Sequence, residues 1–248
     1  MNLAIDIGNS FAKIGRFESG LLRDVISLPT YSLATGLMHY LEVQGQEVGY
    51  VGWVNVSGDI RLEELPVWKQ HPAKGFFHIH PLADLPVRMG YHTPETLGAD
   101  RLVGVIGARA AQAEGPVLVL DAGTALTYDL LTADNTYLGG GISPGIRMRF
   151  RALHEFTARL PLVEAEPAPP LVGHSTRSCI LSGVIHGIRA EADGIIERYI
   201  QDYGSDLGVF LTGGDVPYFE NHLKNKTFAD TSLILKGIHY LVTHRFSL

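Results

Sequence analysis

Two stretches of the chain deliver an aspartate, a glycine two residues later and then a small polar residue, each directly after an apolar run. Residues 3 to 11 read Leu-Ala-Ile-Asp-Ile-Gly-Asn-Ser-Phe, and residues 118 to 127 read Leu-Val-Leu-Asp-Ala-Gly-Thr-Ala-Leu-Thr. The chemistry open to such a turn is phosphate handling. A carboxylate at the end of a buried strand can hold a hydrated cation, glycine lets backbone approach a ligand, and the amide or hydroxyl that follows can donate to phosphoryl oxygens. One Asp-x-Gly is accounted for by turn chemistry alone. Two copies, at Asp6 to Asn9 and Asp121 to Thr124, point to a duplicated fold whose turns face each other across a nucleotide.

Five further groups could carry chemistry. Lys13 follows the first turn on a strand and can reach back over phosphates, although a solvated edge lysine is the simpler reading. Asp100 and Arg101 fall in the first turn of a helix, just after Gly98. The aspartate suits the positive end of a helix dipole but the arginine does not, so the pair reads as a site for both a hydroxyl and an anion, with Gly98 letting a ligand near the backbone. Three consecutive glycines open Gly139 to Gly145. They offer no side-chain packing, which suggests backbone laid against a ligand, a plain loop being the alternative. Gly213-Gly214-Asp215 ends a strand, where open α/β sheets bind ligands and where turn chemistry serves as well. His78 and His80 share a strand face without a carboxylate or cysteine nearby, and ordinary polar packing is favoured over metal.

The elements that must position these groups follow from periodicity. Leu3 to Asp6 and Phe11 to Phe17 read as a hairpin, Ser32 to Val43 as a helix, and Val48 to Val56 as a buried strand leading to a Ser57-Gly58-Asp59 turn. Phe76 to Ile79 is a short strand, and a helix carrying Leu102, Val103, Ile106 and Ala110 stops at Gly115-Pro116. After the second Asp-x-Gly, Tyr128 to Leu131 continues as strand and Asp134-Asn135 turns. Ile146 to Leu160 is an amphipathic helix whose Arg147, Arg149 and Arg151 are read as solvated. Residues 161 to 174 form a proline-rich loop, Ser175 caps a long helix closed by Gly204, Val209 to Thr212 is a strand, and Ser232 to His244 is the last helix. On that long helix Cys179, Ser182, Gly183 and Gly187 suggest close packing, internal or across a dimer.

Length and composition bound the rest. The 248 residues suit two halves, 1–115 and 116–248, with no composition shift between them. No apolar run approaches the roughly 18 residues of a membrane span. The sequence opens directly into a strand without a signal-peptide pattern, and its single cysteine fits a reducing cytoplasm. A net charge of −6 without a basic block argues against nucleic acid or an anionic membrane as partner.

With these residues in order, the chain resembles the type III pantothenate kinases of the acetate and sugar kinase/actin superfamily. Asp6-Ile7-Gly8-Asn9-Ser10 with Lys13 resembles the family's first phosphate motif, Gly98-Ala99-Asp100-Arg101 its substrate motif, and Asp121 to Thr124 with Gly139 to Gly145 the next two. The late Gly213-Gly214-Asp215 is similar to its glycine turn over the nucleotide. The resemblance implies an α/β fold of duplicated actin-like (ribonuclease H-like) halves with a cleft between them. It also implies ATP-dependent phosphorylation of pantothenate to 4′-phosphopantothenate, the first step of coenzyme A synthesis.

Roles come with it. Asp100 is implied as general base, and Asp6 as the residue that holds Mg2+ through water. Gly8, Asn9, Ser10, Lys13 and Thr124 are implied as the ATP phosphate site, and Asp121 as ligand of a monovalent cation, K+ or NH4+. Tyr91, Gly98, Ala99, Asp100 and Arg101 are implied as pantothenate contacts, joined by Thr176 from the partner of a homodimer. Where the family usually has asparagine before that threonine, this chain has Ser175. A non-catalytic regulator or binding protein on the same fold is the alternative, and a sugar or acetate kinase a third reading.

Overall fold

A computed structural model describes residues 1–56, 58 and 60–248. The turn expected at Ser57-Gly58-Asp59 therefore lies largely outside the described residues, since Ser57 and Asp59 are not among them. The chain separates into two compact units, one of Met1–Ala111 with Ser232–Leu248 and one of Gln112–Thr231.

The first unit begins with β1 (Asn2–Ile7), β2 (Phe11–Glu18) and β3 (Leu21–Pro29), followed by α1 (Leu33–Gln44), β4 (Val48–Asn55), β5 (Ala73–His78), the two-residue β6 (Arg88–Met89) and α2 (Ala99–Ala111). Its sheet runs β3-β2-β1-β4-β5. The central strand β1 is antiparallel to β2 and parallel to β4, so both its edges are paired, and its near-continuous apolar run Leu3, Ala4, Ile5 and Ile7 is buried. Leu3, Ile5 and Ile7 join Leu37 and Leu41 of α1 and Trp53 of β4 in one core. Helix α1 ends at Gly45, whose φ of 59° closes the last turn in the left-handed region. His78 stacks on Trp53 with ring centroids 3.8 Å apart, which is the packing role expected of it.

The second unit carries β7 (Val117–Ala122), β8 (Ala125–Leu131), β9 (Thr136–Pro144), α3 (Ile146–Glu155), α4 (Thr176–Tyr203), β10 (Gly208–Thr212) and β11 (Phe228–Ala229). Within it the strands run β9-β8-β7-β10-β11, with β7 antiparallel to β8 and parallel to β10. Strand for strand, this repeats the order and senses of the first sheet. The duplication read from the two Asp-x-Gly turns is thus a duplication of the whole sheet.

The last helix, α5 (Leu233–Phe246), packs with the first unit rather than with the half that precedes it in sequence. Glycines set that contact. A Cβ on Gly107 of α2 would lie 2.5 Å from the Leu233 carbonyl, and one on Gly237 of α5 would overlap the Val103 carbonyl. Two helices approach this closely only where side chains are missing.

Three expectations need correction here. Gly139 to Gly141 are strand residues paired with β8, not a loop, and a Cβ on Gly140 would overlap the Tyr128 backbone. Close strand approach accounts for that glycine without a ligand. Helix α3 ends at Glu155 instead of Leu160, because the Thr157 hydroxyl donates to the Leu153 carbonyl and accepts from the Leu160 N–H. The helix ladder is replaced by side-chain bonds at that point. Third, Arg149 is not simply solvated: it is partly buried and paired with Glu191.

Candidate active site

The first turn sits at the tip of the β1–β2 hairpin. Asp6 and Lys13 are directly opposed in the register, placing a carboxylate and an ammonium side by side on one face. Ile7 and Ala12 form the last rung, and the Gly8 N–H donates to the Phe11 carbonyl at 3.0 Å. Thr30 holds the turn from outside: its hydroxyl donates to the Gly8 carbonyl (2.8 Å) and its N–H to the Ser10 carbonyl (3.0 Å). Asn9 and Ser10 are left exposed. With Phe11, Pro29, Thr30 and Tyr31 they line a cavity of about 620 Å³. Thr30 carries no local signal in the sequence, since it comes to the turn only through the pairing of β2 with β3.

Asp100 lies in the first turn of α2 between buried Ala99 and buried Leu102, which hold the helix start against the core. Its Oδ1 accepts the Arg101 N–H at 2.9 Å, and the negative side chain meets the positive end of the helix dipole. A Cβ on Gly98 would lie 2.5 Å from that same oxygen. Gly98 therefore gives room to the carboxylate of Asp100. Tyr91 precedes the helix in the connecting loop and, like Asp100 and Arg101, is partly exposed.

The second turn is tighter. Asp121 is flanked in register by Thr127 of β8 and Thr212 of β10. The Gly123 N–H donates to the Ala125 carbonyl at 2.9 Å. Gly213, at φ 100°, packs on the turn so closely that a Cβ there would overlap Asp121 Oδ1 and the Ala122 carbonyl, which also accepts the Asp215 N–H at 2.8 Å. Burial pushes the Asp215 carboxyl up, with Arg147 opposing the shift. On the other side the Gly145 N–H donates to the Thr124 carbonyl at 3.2 Å. The structure thus gathers Asp121, Gly123, Thr124, Gly145 and Gly213, while the Thr124 side chain stays exposed.

Thr176 is elsewhere in this unit. It is the exposed first residue of α4, whose N-terminus is closed by a capping box between Ser175 and Ser178. It lines a groove of about 930 Å³ with Leu153, Phe156, Cys179, Gly183 and Val184, and no residue of the Asp121 turn lines that groove. Among the described residues, no group of three or more His, Cys, Asp or Glu is arranged to hold a metal ion. No helix is long and apolar enough to cross a membrane among those residues.

The chain and its fold are similar to those of known proteins. The model of a family described as type III pantothenate kinase matches residues 2–198. A type III pantothenate kinase of Phocaeicola vulgatus is 41% identical over 249 residues, covering 98% of each chain. Among solved structures, a conserved Baf family protein from Campylobacter jejuni is 24% identical at a TM-score of 0.58, covering 99% of this chain and 100% of that one. A ROK family glucokinase from Streptomyces griseus, solved with glucose and AMPPNP, superimposes at a TM-score of 0.56 with 12% identity, covering 98% and 99%. These likenesses, with the repeated strand order, establish the duplicated actin-like α/β fold.

Proposed function

The chain belongs to the type III pantothenate kinase family, and on that premise we propose that Asp100 accepts the proton of the pantothenate hydroxyl while the two Asp-x-Gly turns hold the phosphates of MgATP. The reaction is the ATP-dependent phosphorylation of pantothenate to 4′-phosphopantothenate, in coenzyme A biosynthesis. The observation that carries the base assignment is the local build of Asp100. It is an anchored carboxylate at a helix N-terminus, with Gly98 leaving it space and Arg101 beside it to meet the carboxylate of pantothenate.

Phosphoryl transfer through a loose transition state asks for in-line positioning and neutralised charge more than for a strong base. The base in such a transfer need not be strong, because it takes the proton late. Tyr91, Gly98 and Ala99 complete the pantothenate contacts in this reading. Lys13 and the exposed Asn9 and Ser10, with Gly8 and Thr124, meet the phosphates.

The residues present suit the two cations in different ways. With no three-residue ligand cluster among the described residues, Mg2+ fits Asp6 as an ion that keeps its waters and binds chiefly to phosphate. Asp121, among backbone carbonyls and threonines, fits a monovalent cation such as K+ or NH4+. Each ion would offset negative charge where carboxylates and phosphates crowd.

A homodimer belongs to the same reading. Phe156 is 86% exposed in the groove that holds Thr176, and Gly183 and Gly187 on α4 have no neighbour within 4 Å of where a Cβ would stand. A partner subunit would cover that face and bring Thr176 to its substrate. Sedimentation velocity at micromolar concentration is expected to show a dimer, and a monomer would remove this part of the proposal. The cytoplasm is the setting proposed, and the acidic net charge supports small-molecule partners over nucleic acid or membrane.

The central test is a coupled kinase assay with pantothenate, MgATP and K+. Asp100→Asn is expected to lower kcat by about 10²–10⁴-fold with the KM for ATP nearly unchanged. A loss smaller than tenfold would show that another group takes the proton.

A further inference from the structure

Arg149 ties three segments of the second unit together. Its Nε donates to the Pro144 carbonyl at 2.8 Å, and its Nη2 donates to the Ser143 hydroxyl at 2.8 Å and to Glu191 of α4 at 2.6 Å. The Tyr128 hydroxyl donates to the other Glu191 oxygen at 3.1 Å. Burial works against a charge on Glu191, but the hydrogen bonds from Ser143 and Arg149 and the charge of Arg149 keep its carboxyl below the usual range. The two side chains are only 21% and 28% exposed, whereas the helix-surface pair Arg151–Glu155 is 69% and 48% exposed. A solvated pair of the second kind contributes little. The first kind is screened less, and loss of either partner leaves the other charge poorly compensated.

The segment that Arg149 grips leads directly to the second turn. Ser143 and Pro144 end β9, and the next residue, Gly145, donates its N–H to the Thr124 carbonyl. A Cβ on Gly145 would lie 2.5 Å from that carbonyl oxygen, so any movement of Pro144–Gly145 is passed to the Thr124 peptide. The Arg149 N–H also donates to the Gly145 carbonyl at 3.1 Å, fixing the same residue from the helix side.

We propose that the Arg149–Glu191 pair is a positioning element for the Thr124 turn, one that sets the enzyme's affinity for nucleotide without taking part in the transfer step. The inference rests on the reading that Thr124 lines the phosphate site. In this reading both act through Ser143, Pro144 and Gly145.

The test is steady-state kinetics of Arg149→Met, Arg149→Lys, Glu191→Gln and the Arg149→Met/Glu191→Gln double variant, with Thr124→Val alongside. Arg149→Met and Glu191→Gln are each expected to raise the KM for ATP about tenfold, with kcat and the KM for pantothenate within about twofold of the parent. Arg149→Lys should recover part of the loss. The double variant should be no worse than the poorer single one, because both members serve one contact. A KM for ATP that stays within twofold in the single variants overturns the inference, as does a parallel loss of kcat and both KM values. Thr124→Val separates the two levels. If it leaves the KM for ATP unchanged, the phosphate-site reading fails and the inference with it. If it raises that KM while Arg149→Met does not, the inference alone fails.

Discussion

The two Asp-x-Gly turns stand at equivalent places in equivalent sheets, yet they are built differently. Between the last paired rungs the first hairpin has four residues, Gly8 to Phe11, and the second has three, Gly123 to Ala125. Opposite Asp6 stands Lys13; opposite Asp121 stands Thr127, with Thr212 on its other side. The first turn is braced by one threonine and leaves Asn9 and Ser10 exposed. The second is wedged between Gly145 and Gly213, where side chains would overlap its backbone. Duplication supplied the same frame twice, and single residues make the two frames different. In the proposed reading, a carboxylate with a lysine on its face suits a water-bound ion riding on phosphates, whereas one among hydroxyls and carbonyls suits a partly dehydrated monovalent cation.

The comparison can be broken by exchanging the cations. Asp6→Asn is expected to weaken apparent Mg2+ affinity by about 10–100-fold and to leave the preference for K+ over Na+ intact. Asp121→Asn should do the reverse, giving an enzyme indifferent to the choice of K+ or Na+ with a nearly normal Mg2+ titration. If both variants respond alike in activity titrations against Mg2+ and K+, the division of labour is wrong.

A smaller effect sharpens the difference in packing. At Gly145 a Cβ would meet two backbone carbonyls of the second turn, so Gly145→Ala is expected to cost about 1–3 kcal/mol in denaturant unfolding. The nearest atom to a Cβ on Gly8 is the Phe11 carbonyl at 3.0 Å, in an exposed turn with room to shift. Gly8→Ala is therefore expected to cost about 0.5 kcal/mol. Equal losses would mean that the second turn is no more constrained than the first.

Much of this was legible in the chain itself, and the exceptions have a common cause. The strands β1, β7 and β10 are short apolar runs ended by glycine turns, and Ser175 announced α4 through its cap. Local chemistry suffices for such features. Arg149 was read as solvated because three arginines on alternate positions of an amphipathic helix look alike in sequence; only Glu191, 42 residues away, distinguishes one of them. Gly140 was read as a ligand contact because a missing side chain does not say what fills its place, here the Tyr128 backbone. The last helix was assigned to the nearer half, since nothing local marks the Gly107–Gly237 approach that binds it to the first unit.

The sequence by itself determined the repeat of the aspartate turns, the order of the elements and the family, because these rest on periodicity, turn residues and motif order along the chain. Only the tertiary structure decided that Lys13 faces Asp6 while threonines flank Asp121, that Gly98 makes room for the Asp100 carboxylate, and that Arg149 ties the end of β9 to Glu191 of α4. Each of those is a contact between residues brought together by sheet register or helix packing, and the energy of such contacts depends on distances in space that no stretch of sequence contains.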